Sequence, residues 1–506
     1  MEKKLFAALF SVLLSILLLS SRSEAGEWAI VGPRALGMGG ANVAVANDVT
    51  ASYWNPAAYG FFKDKKGGDY GGRNWSGTLN VGAGAQVHED IGEVVDKISG
   101  VDFNNLDDGV IQANRVSDYI TLLNELKTFN DNGDRALTAS VNGAAGAQVG
   151  NFGIGGYVFG SISARGDLDL VNISPVTSGT TGVDIITQLS TASNFNNGAS
   201  VPAGDYYFDS AAKTSLISTI AALPGWDTTT ATNYVQAMDY GLGQARSSGL
   251  AIPSDPSSAV KTAAELASTA LTGGSFADNG SRLLFKGIAV AEVPLTWGRR
   301  ISDEFAVGAN LKYMKARVYN TSVKVFNTDF GDALDRASDD YKDSQNFGVD
   351  LGMLYRYGDT LRAGLVGRNL NSPKFDMKPL LAGDDDYLQE KAQVRAGAAY
   401  KPVSYVTLAV DYDLTKNDTT VSNSYKSQNL GGGVEVDVFK VARVRAGAYK
   451  NMAQGDIGVV YTAGLGLNLW LVNLDLGAAM SPKSTTVDGN DIPKEVRAEL
   501  AMTMLF

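Results

Sequence analysis

Hydrophobic and polar residues alternate with a period of two along many stretches of the chain. In the stretch 472–480, every second residue is hydrophobic, and polar or small residues stand between them. Alternation places the two sets on opposite faces of a β-strand. Fourteen such stretches are predicted as strands, and most have the length that a tilted strand needs to cross a membrane. Their predicted spans are 76–88, 136–149, 152–164, 283–297, 305–319, 346–357, 361–370, 391–401, 405–415, 428–438, 441–450, 458–469, 472–480 and 494–506.

The last predicted strand, 494–506, indicates what the apolar faces contact. Its apolar face runs from Val496 to Phe506, while Arg497 and Glu499 lie on the other face. An aromatic residue is favourable at the end of a strand that faces lipid, because the ring anchors at the membrane interface. The pattern therefore predicts a location in the outer membrane of a Gram-negative-type cell, with outer-membrane lipid as a partner.

The connections between the predicted strands alternate in length. Short turns such as 150–151 and 470–471 alternate with longer connections, up to 89–135 and 165–282. Outer-membrane barrels have short periplasmic turns and long extracellular loops. The predicted fold is therefore all-β, a fourteen-stranded antiparallel transmembrane barrel over 76–506.

Both long insertions, 89–135 and 165–282, contain hydrophobic residues at helical spacing. Leu122, Leu123 and Leu126 form one such stripe, and Leu216, Ile217, Ile220 and Leu223 form another. This spacing predicts amphipathic helices inside extracellular loops. We expect the helices to pack on one another as a cap.

Two segments precede the barrel. Residues 1–25 combine basic residues, an apolar run and a small-residue cleavage pattern, which is typical of a secretory signal peptide. Residues 26–75 are rich in Gly, Ala and Asn, too small-sided for a core strand and too glycine-rich for a stable helix. This segment is predicted to be an N-terminal hatch, or plug, inside the barrel.

Composition limits the chemistry available to the chain. It has 57 glycines, which suits strands whose small lumen-facing residues leave room for a plug. The net charge of −11 argues against nucleic acid as a partner. With one histidine, His88, and no cysteine, we expect no metal, no cofactor and no Ser/His/Asp catalytic set, so the protein is predicted not to be an enzyme. The mixed charges predicted for the lumen are expected to hold the barrel and hatch together.

Several motifs resemble one known family. The segment 37–41, Gly-Met-Gly-Gly-Ala, is followed by Asn55-Pro56-Ala57. This resembles the N-terminal hatch of the FadL/TodX family, closest to its branch labelled TraF-like after conjugal transfer. The stretches 292–297 and 368–373 are also similar to that branch. The insertion 165–282 departs from the family pattern because it is much longer.

The resemblance implies a fourteen-stranded channel for hydrophobic compounds that is closed by the hatch. It implies hatch or gate positions at Gly37, Gly39, Gly40, Asn55, Pro56 and Ala57. It also implies a lateral exit, for which the glycines at 155–156 or at 160 are candidates. The alternative for those glycines is that they simply face the plug.

The resemblance also implies the function, which is passive uptake of long-chain fatty acids or other apolar small molecules. Trp28, Tyr53 and Trp54 are candidate contacts for an apolar ligand, and their alternative role is packing against the barrel wall. A second hypothesis, from a different class, is a structural or docking component of a conjugation or secretion apparatus, with an envelope-complex protein as its partner. The large insertion 165–282 would then be a binding surface.

Overall fold

A computed structural model describes most of the chain. The described residues are 26–63, 75–89, 91, 120–125, 127, 133–170, 172, 185–191, 199–250, 252–269, 279–324, 339–380, 385–487 and 490–505. The predicted signal peptide and Phe506 lie outside them.

Fourteen antiparallel strands form one closed barrel, as the alternation predicted. Each strand pairs with its neighbours in chain order, and the first strand closes the barrel by pairing with the last one. The barrel strands are β1 (Trp75–His88), β2 (Ala136–Val149), β3 (Phe152–Asp167), β4 (Arg282–Arg300), β5 (Phe305–Lys324), β6 (Tyr341–Tyr357), β7 (Leu361–Arg368), β10 (Gln393–Val403), β11 (Val406–Asp413), β14 (Asn429–Val438), β15 (Ala442–Asn451), β16 (Val459–Leu469), β17 (Val472–Met480) and β20 (Glu495–Leu505).

Three short hairpins, which the sequence pattern did not predict, lie in the longer connections. They are β8 (Lys374–Asp376) with β9 (Tyr387–Gln389), β12 (Asn417–Asp418) with β13 (Lys426–Ser427), and β18 (Ser484–Val487) with β19 (Asn490–Pro493). Each forms its own two-stranded sheet outside the barrel wall. Within the described ranges, no helix combines the length and the apolar content that crossing a membrane requires.

The outer surface of the barrel is apolar, and aromatic residues cluster at one end of it. On β20, Val496 and Leu500 are exposed while Glu499 is buried in the lumen, as predicted. A ring of exposed aromatic side chains surrounds the end that carries the short turns, as at a membrane interface. The members of this ring are Trp75, Phe152, Trp297, Tyr355, Tyr357, Tyr400, Tyr405, Phe439 and Trp470.

Residues 26–63, hereafter the hatch, lie inside the barrel and are almost entirely buried. The hatch contains two one-turn helices, α1 (Pro33–Gly37) and α2 (Ala51–Trp54), and a 3₁₀ turn over Pro56–Gly60. The segment therefore contains helical turns that the sequence pattern did not predict. Each turn is too short to be stable alone, so contacts with the barrel wall must stabilise it.

The described helices of the two insertions form one packed unit. Its described helices are residues 120–125, α3 (Ile185–Ser190), α4 (Ser210–Ile220), α5 (Thr228–Ser247) and α6 (Pro256–Thr269). Leu122 and Leu123 share a buried cluster with Trp226 and Val260, so the two insertions pack on each other. Buried Asp239 accepts backbone N–H bonds from Tyr206, Tyr207 and Phe208, which fixes the chain before α4. The predicted stripe residue Leu126 lies outside the described residues.

Candidate functional site

The hatch glycines dock on glycines of the barrel wall. Gly39 has φ +66°, and a Cβ built there would lie 2.3 Å from the carbonyl oxygen of Ala448 and 2.5 Å from that of Gly432. A Cβ built at Gly37 would lie 2.9 Å from the Cα of Gly464. Both positions therefore need glycine because backbone meets backbone, which is a tighter requirement than the conformational freedom the sequence suggested. Gly40, with φ +79°, instead contacts the side chain of Ile30.

The Asn-Pro-Ala motif docks in the same way on the opposite wall. A Cβ built at Gly308 would lie 2.2 Å from the carbonyl carbon of Pro56, and one at Gly352 would lie 2.2 Å from Asn55 Oδ1. Asn55 Nδ2 donates to the carbonyl of Met353 on β6 at 3.0 Å, and Asn55 Oδ1 accepts from Ala57 N at 3.1 Å. The high glycine content of the chain is thus partly explained by lumen positions that receive the hatch.

Charged groups of the lumen bind the hatch backbone and side chains, as predicted. Asp411 Oδ2 accepts N–H bonds from Asn42 at 2.7 Å and from Val43 at 2.9 Å. Arg34 Nη2 lies 2.7 Å from Glu435 Oε1, and the same carboxylate pairs with Arg445. These contacts join α1 and the following loop to β11 and β14, and the pairing of Glu435 with Arg445 extends them to β15.

A cavity, hereafter the chamber, lies between the hatch and the barrel wall. It contains about 940 Å³ of empty space, open solvent at its mouth included. Apolar lining comes from Phe159, Ile288 and Val290, and polar lining from hydroxyl and charged side chains of neighbouring strands. A mostly apolar pocket with a few convergent polar groups is the usual form of a small-molecule site.

Only one of the three predicted ligand-contact residues lines the chamber. Tyr53 is on its wall, with its hydroxyl donating to the carbonyl of Ala29 at 2.8 Å. Trp28 and Trp54 are fully buried behind it, and the ring centroids of Tyr53 and Trp54 are 5.4 Å apart. Trp28 and Trp54 therefore have the alternative role of packing inside the barrel. Contact with a ligand stays a prediction for Tyr53.

Residues 414–428, hereafter the strap, cross the mouth of the barrel. The strap leaves β11 and returns to β14, which are the ninth and tenth strands around the barrel. Its tip contacts β2 and β3, which are the second and third strands around the barrel. Thr420 Oγ1 lies 2.7 Å from Ser163 Oγ and 3.2 Å from Ser161 Oγ, both on β3. Thr420 and Val421 line the chamber. The strap therefore covers the chamber, and sequence reasoning missed it because its residues show no periodicity.

His88 and Asp456 hold the other end of the strap tip. The Tyr425 hydroxyl donates to Asp456 Oδ1 at 2.8 Å, and His88 Nδ1 lies 3.5 Å from Asp456 Oδ2. His88 Nε2 contacts the Thr138 hydroxyl at 3.0 Å, and that hydroxyl contacts Ser163 at 2.7 Å. Burial alone would raise the pKa of Asp456, but the nearby His88 and the hydrogen bond from the Tyr425 hydroxyl outweigh it and lower the pKa to about 2. The single histidine is thus part of a latch on the strap.

A second cavity lies on the other side of the hatch. It has about 790 Å³ of empty space and is lined by hatch residues Arg34 and Asp48 and by Ser404, Glu435 and Asp437 near the short turns. This cavity is polar, unlike the chamber. The hatch therefore separates an amphipathic space under the strap from a polar space at the short-turn end.

One of the two candidate positions for a lateral exit, Gly155 and Gly156, coincides with a gap in strand pairing, whereas the other, Gly160, is paired with Ala289. β3 pairs with β4 at Ile154 with Leu295 and again at Tyr157 with Glu292, and the register is the same on both sides. Between them the pairing lapses, because Pro294 has no N–H to donate. Use of this gap as an exit stays a prediction. Among the described residues, no group of three His, Asp or Glu side chains is placed to hold a metal ion.

Comparison with known proteins gives one family match and distant structural likenesses. A family model described as "F plasmid transfer operon, TraF, protein" matches residues 52–413. No curated protein matches the chain. The crystal structure of the P. putida toluene transporter TodX shares 10% identity and a TM-score of 0.43, covering 95% of this chain and 99% of that one. A Pseudomonas aeruginosa FadL homologue shares 10% identity and a TM-score of 0.40, covering 96% and 99%.

Proposed function

The chain belongs to the family of the F plasmid transfer operon TraF protein, and we propose that it is an outer-membrane channel for passive uptake of apolar molecules, gated by its hatch. The class of molecules includes long-chain fatty acids and uncharged hydrophobic compounds. One observation carries the proposal: the hatch separates the amphipathic chamber from the polar cavity beneath it. A barrel crosses the membrane without unpaired backbone groups, and a plug makes the route conditional. No step of this function requires a catalytic group.

The route would begin under the strap, where a ligand meets Tyr53, Phe159 and the other chamber walls. Passage beyond the chamber would require the hatch to leave its glycine contacts, or the ligand to leave sideways near Gly155. The first route exposes the polar cavity to the chamber, whereas the second leaves the hatch docked. A reversible lock on the hatch therefore distinguishes them.

The cysteine-free chain offers such a lock. A Cβ built at Gly477 on β17 would lie 3.3 Å from the Cβ of Leu36 in α1, just below the ~3.5–4.5 Å of natural disulfides. It would also lie 2.8 Å from the carbonyl oxygen of Pro33, so α1 must shift slightly, and the single variant Gly477→Cys measures the effect of that shift alone. The double variant Leu36→Cys, Gly477→Cys would tether the hatch when oxidised and release it when reduced. Uptake of a labelled apolar compound would be measured in Gram-negative cells that lack their own hydrophobic-compound channel. Each single cysteine variant serves as a matched control.

We expect uptake by the double variant to be lost on oxidation and restored by a reductant. Uptake that is unchanged by oxidation would remove the hatch from the route and favour the lateral gap. Failure of the purified wild-type protein to bind any apolar compound would refute the channel function itself.

A docking role in a conjugation or secretion apparatus is the second candidate, supported by the family match and the packed helical unit. Replacing residues 169–280 by a short linker would remove most of that unit and leave the paired strands intact. Loss of mating with normal uptake would favour the docking role. Loss of uptake with normal mating would favour the channel.

A further inference from the structure

The two arginines that line the chamber are already matched by carboxylates. Arg368 Nη2 lies 3.0 Å from Glu292 Oε2. Arg497 Nε lies 2.6 Å from Glu495 Oε1, and its Nη2 lies 3.3 Å from Glu27 Oε1. A carboxylate ligand would therefore have to displace an existing ion pair before it gained a cation of its own.

Carboxylates outnumber cations around the chamber. Lys312, just behind the wall, is shared between Glu292 and Asp350 at 3.2 Å each. Among the described residues that line the chamber or form an ion pair with a lining residue, five are carboxylates and four are basic. The carboxylates are Glu27, Glu292, Glu390, Asp456 and Glu495, and the basic groups are His88, Lys312, Arg368 and Arg497. The excess of negative charge disfavours an anion in this space.

Two of these carboxyls, on Glu390 and Glu27, are poorly stabilised as anions. Burial, followed by the nearby charge of Glu292, raises the pKa of Glu390 to about 7. Burial also raises the pKa of Glu27. The Asn369 amide donates one hydrogen bond to Glu390 Oε2 at 2.6 Å. A ligand group that donates a further hydrogen bond would stabilise these carboxylates in place of water.

Arg368, in contrast, favours a ligand group that accepts a hydrogen bond. Its side chain is almost fully buried and lies over the Tyr53 ring, with 3.9 Å between the guanidinium carbon and the ring centroid. Its Nε has no hydrogen-bond partner within the described parts of the chain. A buried donor without a partner is costly, so a ligand atom that accepts a hydrogen bond would be stabilising there. A hydroxyl both donates and accepts, whereas an ammonium only donates and a carboxylate only accepts.

We infer that the chamber takes apolar molecules whose polar end is an uncharged hydroxyl and disfavours ionised carboxylates on the same hydrocarbon chain. This inference rests on the proposed channel function. It assigns Glu390, Glu27 and Arg368 as specificity determinants, and it places free fatty acids among the poorer ligands.

The test compares three probes with one hydrocarbon chain: 1-dodecanol, dodecanoate and dodecylammonium. Equilibrium binding to the full-length protein in lipid nanodiscs would be measured at about pH 8, where dodecanoate is ionised. We expect dodecanoate to bind at least about tenfold more weakly than 1-dodecanol. In Glu390→Gln, the ratio of the two affinities should fall by about threefold or more, because a negative charge is removed. Glu304→Gln, an exposed acid on the turn between β4 and β5, is the matched control and should keep the wild-type ratio.

The outcomes separate this inference from the channel function. Dodecanoate that binds as tightly as 1-dodecanol overturns the inference and leaves the channel intact. Dodecylammonium as the tightest probe overturns the choice of an uncharged end. If Glu390→Gln leaves the ratio of the 1-dodecanol and dodecanoate affinities unchanged, Glu390 is not a specificity determinant. Binding of none of the three refutes the channel function, and this inference with it.

Discussion

Substituting Gly431→Ala should undock the hatch. A Cβ at this position of β14 would lie 1.8 Å from the carbonyl oxygen of Gly39, while ordinary van der Waals contact begins at 3.4 Å. The hatch or the strand must then move by roughly the difference, about 1.6 Å. The neighbouring Thr462 hydroxyl bonds Gly39 N at 3.1 Å and Gly37 O at 3.2 Å, and both bonds would be strained by that movement.

The size of the effect follows from the cost of overpacking. Inserting a methyl group into a well-packed site typically costs about 1–3 kcal/mol. If that cost falls on the docked state, the ratio of undocked to docked hatch rises by about 5- to 150-fold. Single-channel recording in a planar bilayer would measure this ratio as open probability.

Gly455→Ala is the matched control, because a Cβ there meets nothing within 4 Å. Its open probability should equal that of the wild type. An open probability in Gly431→Ala that stays at the wild-type value, together with a lower thermal unfolding midpoint, would show that the strand moves instead of the hatch. The reasoning would then be refuted.

Three further predictions concern the latch and the hatch. Tyr425→Phe removes a hydrogen bond to Asp456 that is worth about 1.5–3 kcal/mol, so amide hydrogen exchange in residues 419–425 should be at least about tenfold faster; unchanged exchange would dismiss the latch. The pKa of Asp456 is about 2 when folded, below the ~3.9 of an unfolded Asp, so its contribution to strap stability should be fully present above about pH 4 and be lost as pH falls toward about 2. Exchange in the strap measured over that range should show the loss, and Asp456→Asn should remove the part of the pH dependence that this carboxyl contributes. Asn55→Ala removes the bonds to Met353 and Ala57 and should cost about 1–3 kcal/mol, lowering the thermal midpoint; a midpoint equal to that of the wild type would contradict the docking role.

The strands were predictable because the barrel wall imposes one rule on every residue. Alternate side chains face lipid or lumen, so a short stretch of sequence is enough to show the period of two, as in β17 and β20. The glycine content also indicated a plug, although which glycines face each other depends on how the hatch folds inside the barrel. Gly39 and Gly431 could not be paired from sequence, because no local signal joins positions so far apart.

The candidate site was only partly predictable, for the same reason. Trp28, Tyr53 and Trp54 are equally plausible ligand contacts in sequence, and only their packing shows that Tyr53 alone reaches the chamber. The strap depends on contacts between residues that are 257 positions apart, such as Ser163 and Thr420. Hydroxyl residues in a loop carry no signature of such a partner. His88 looked isolated for lack of a second histidine, yet Asp456 and Tyr425 complete its surroundings.

The position of the hatch contacts also constrains the order of folding. Arg34 pairs with Glu435, and Gly39 bonds Thr462, across 401 and 423 positions of the chain. The hatch is therefore synthesised long before these partners, and contacts of such separation form slowly. An unpaired hatch exposes apolar residues such as Trp28 and Trp54, so it is prone to aggregation until β14–β16 are present. Closure of the barrel must consequently enclose the hatch, with the pairing of β1 and β20 as a late step.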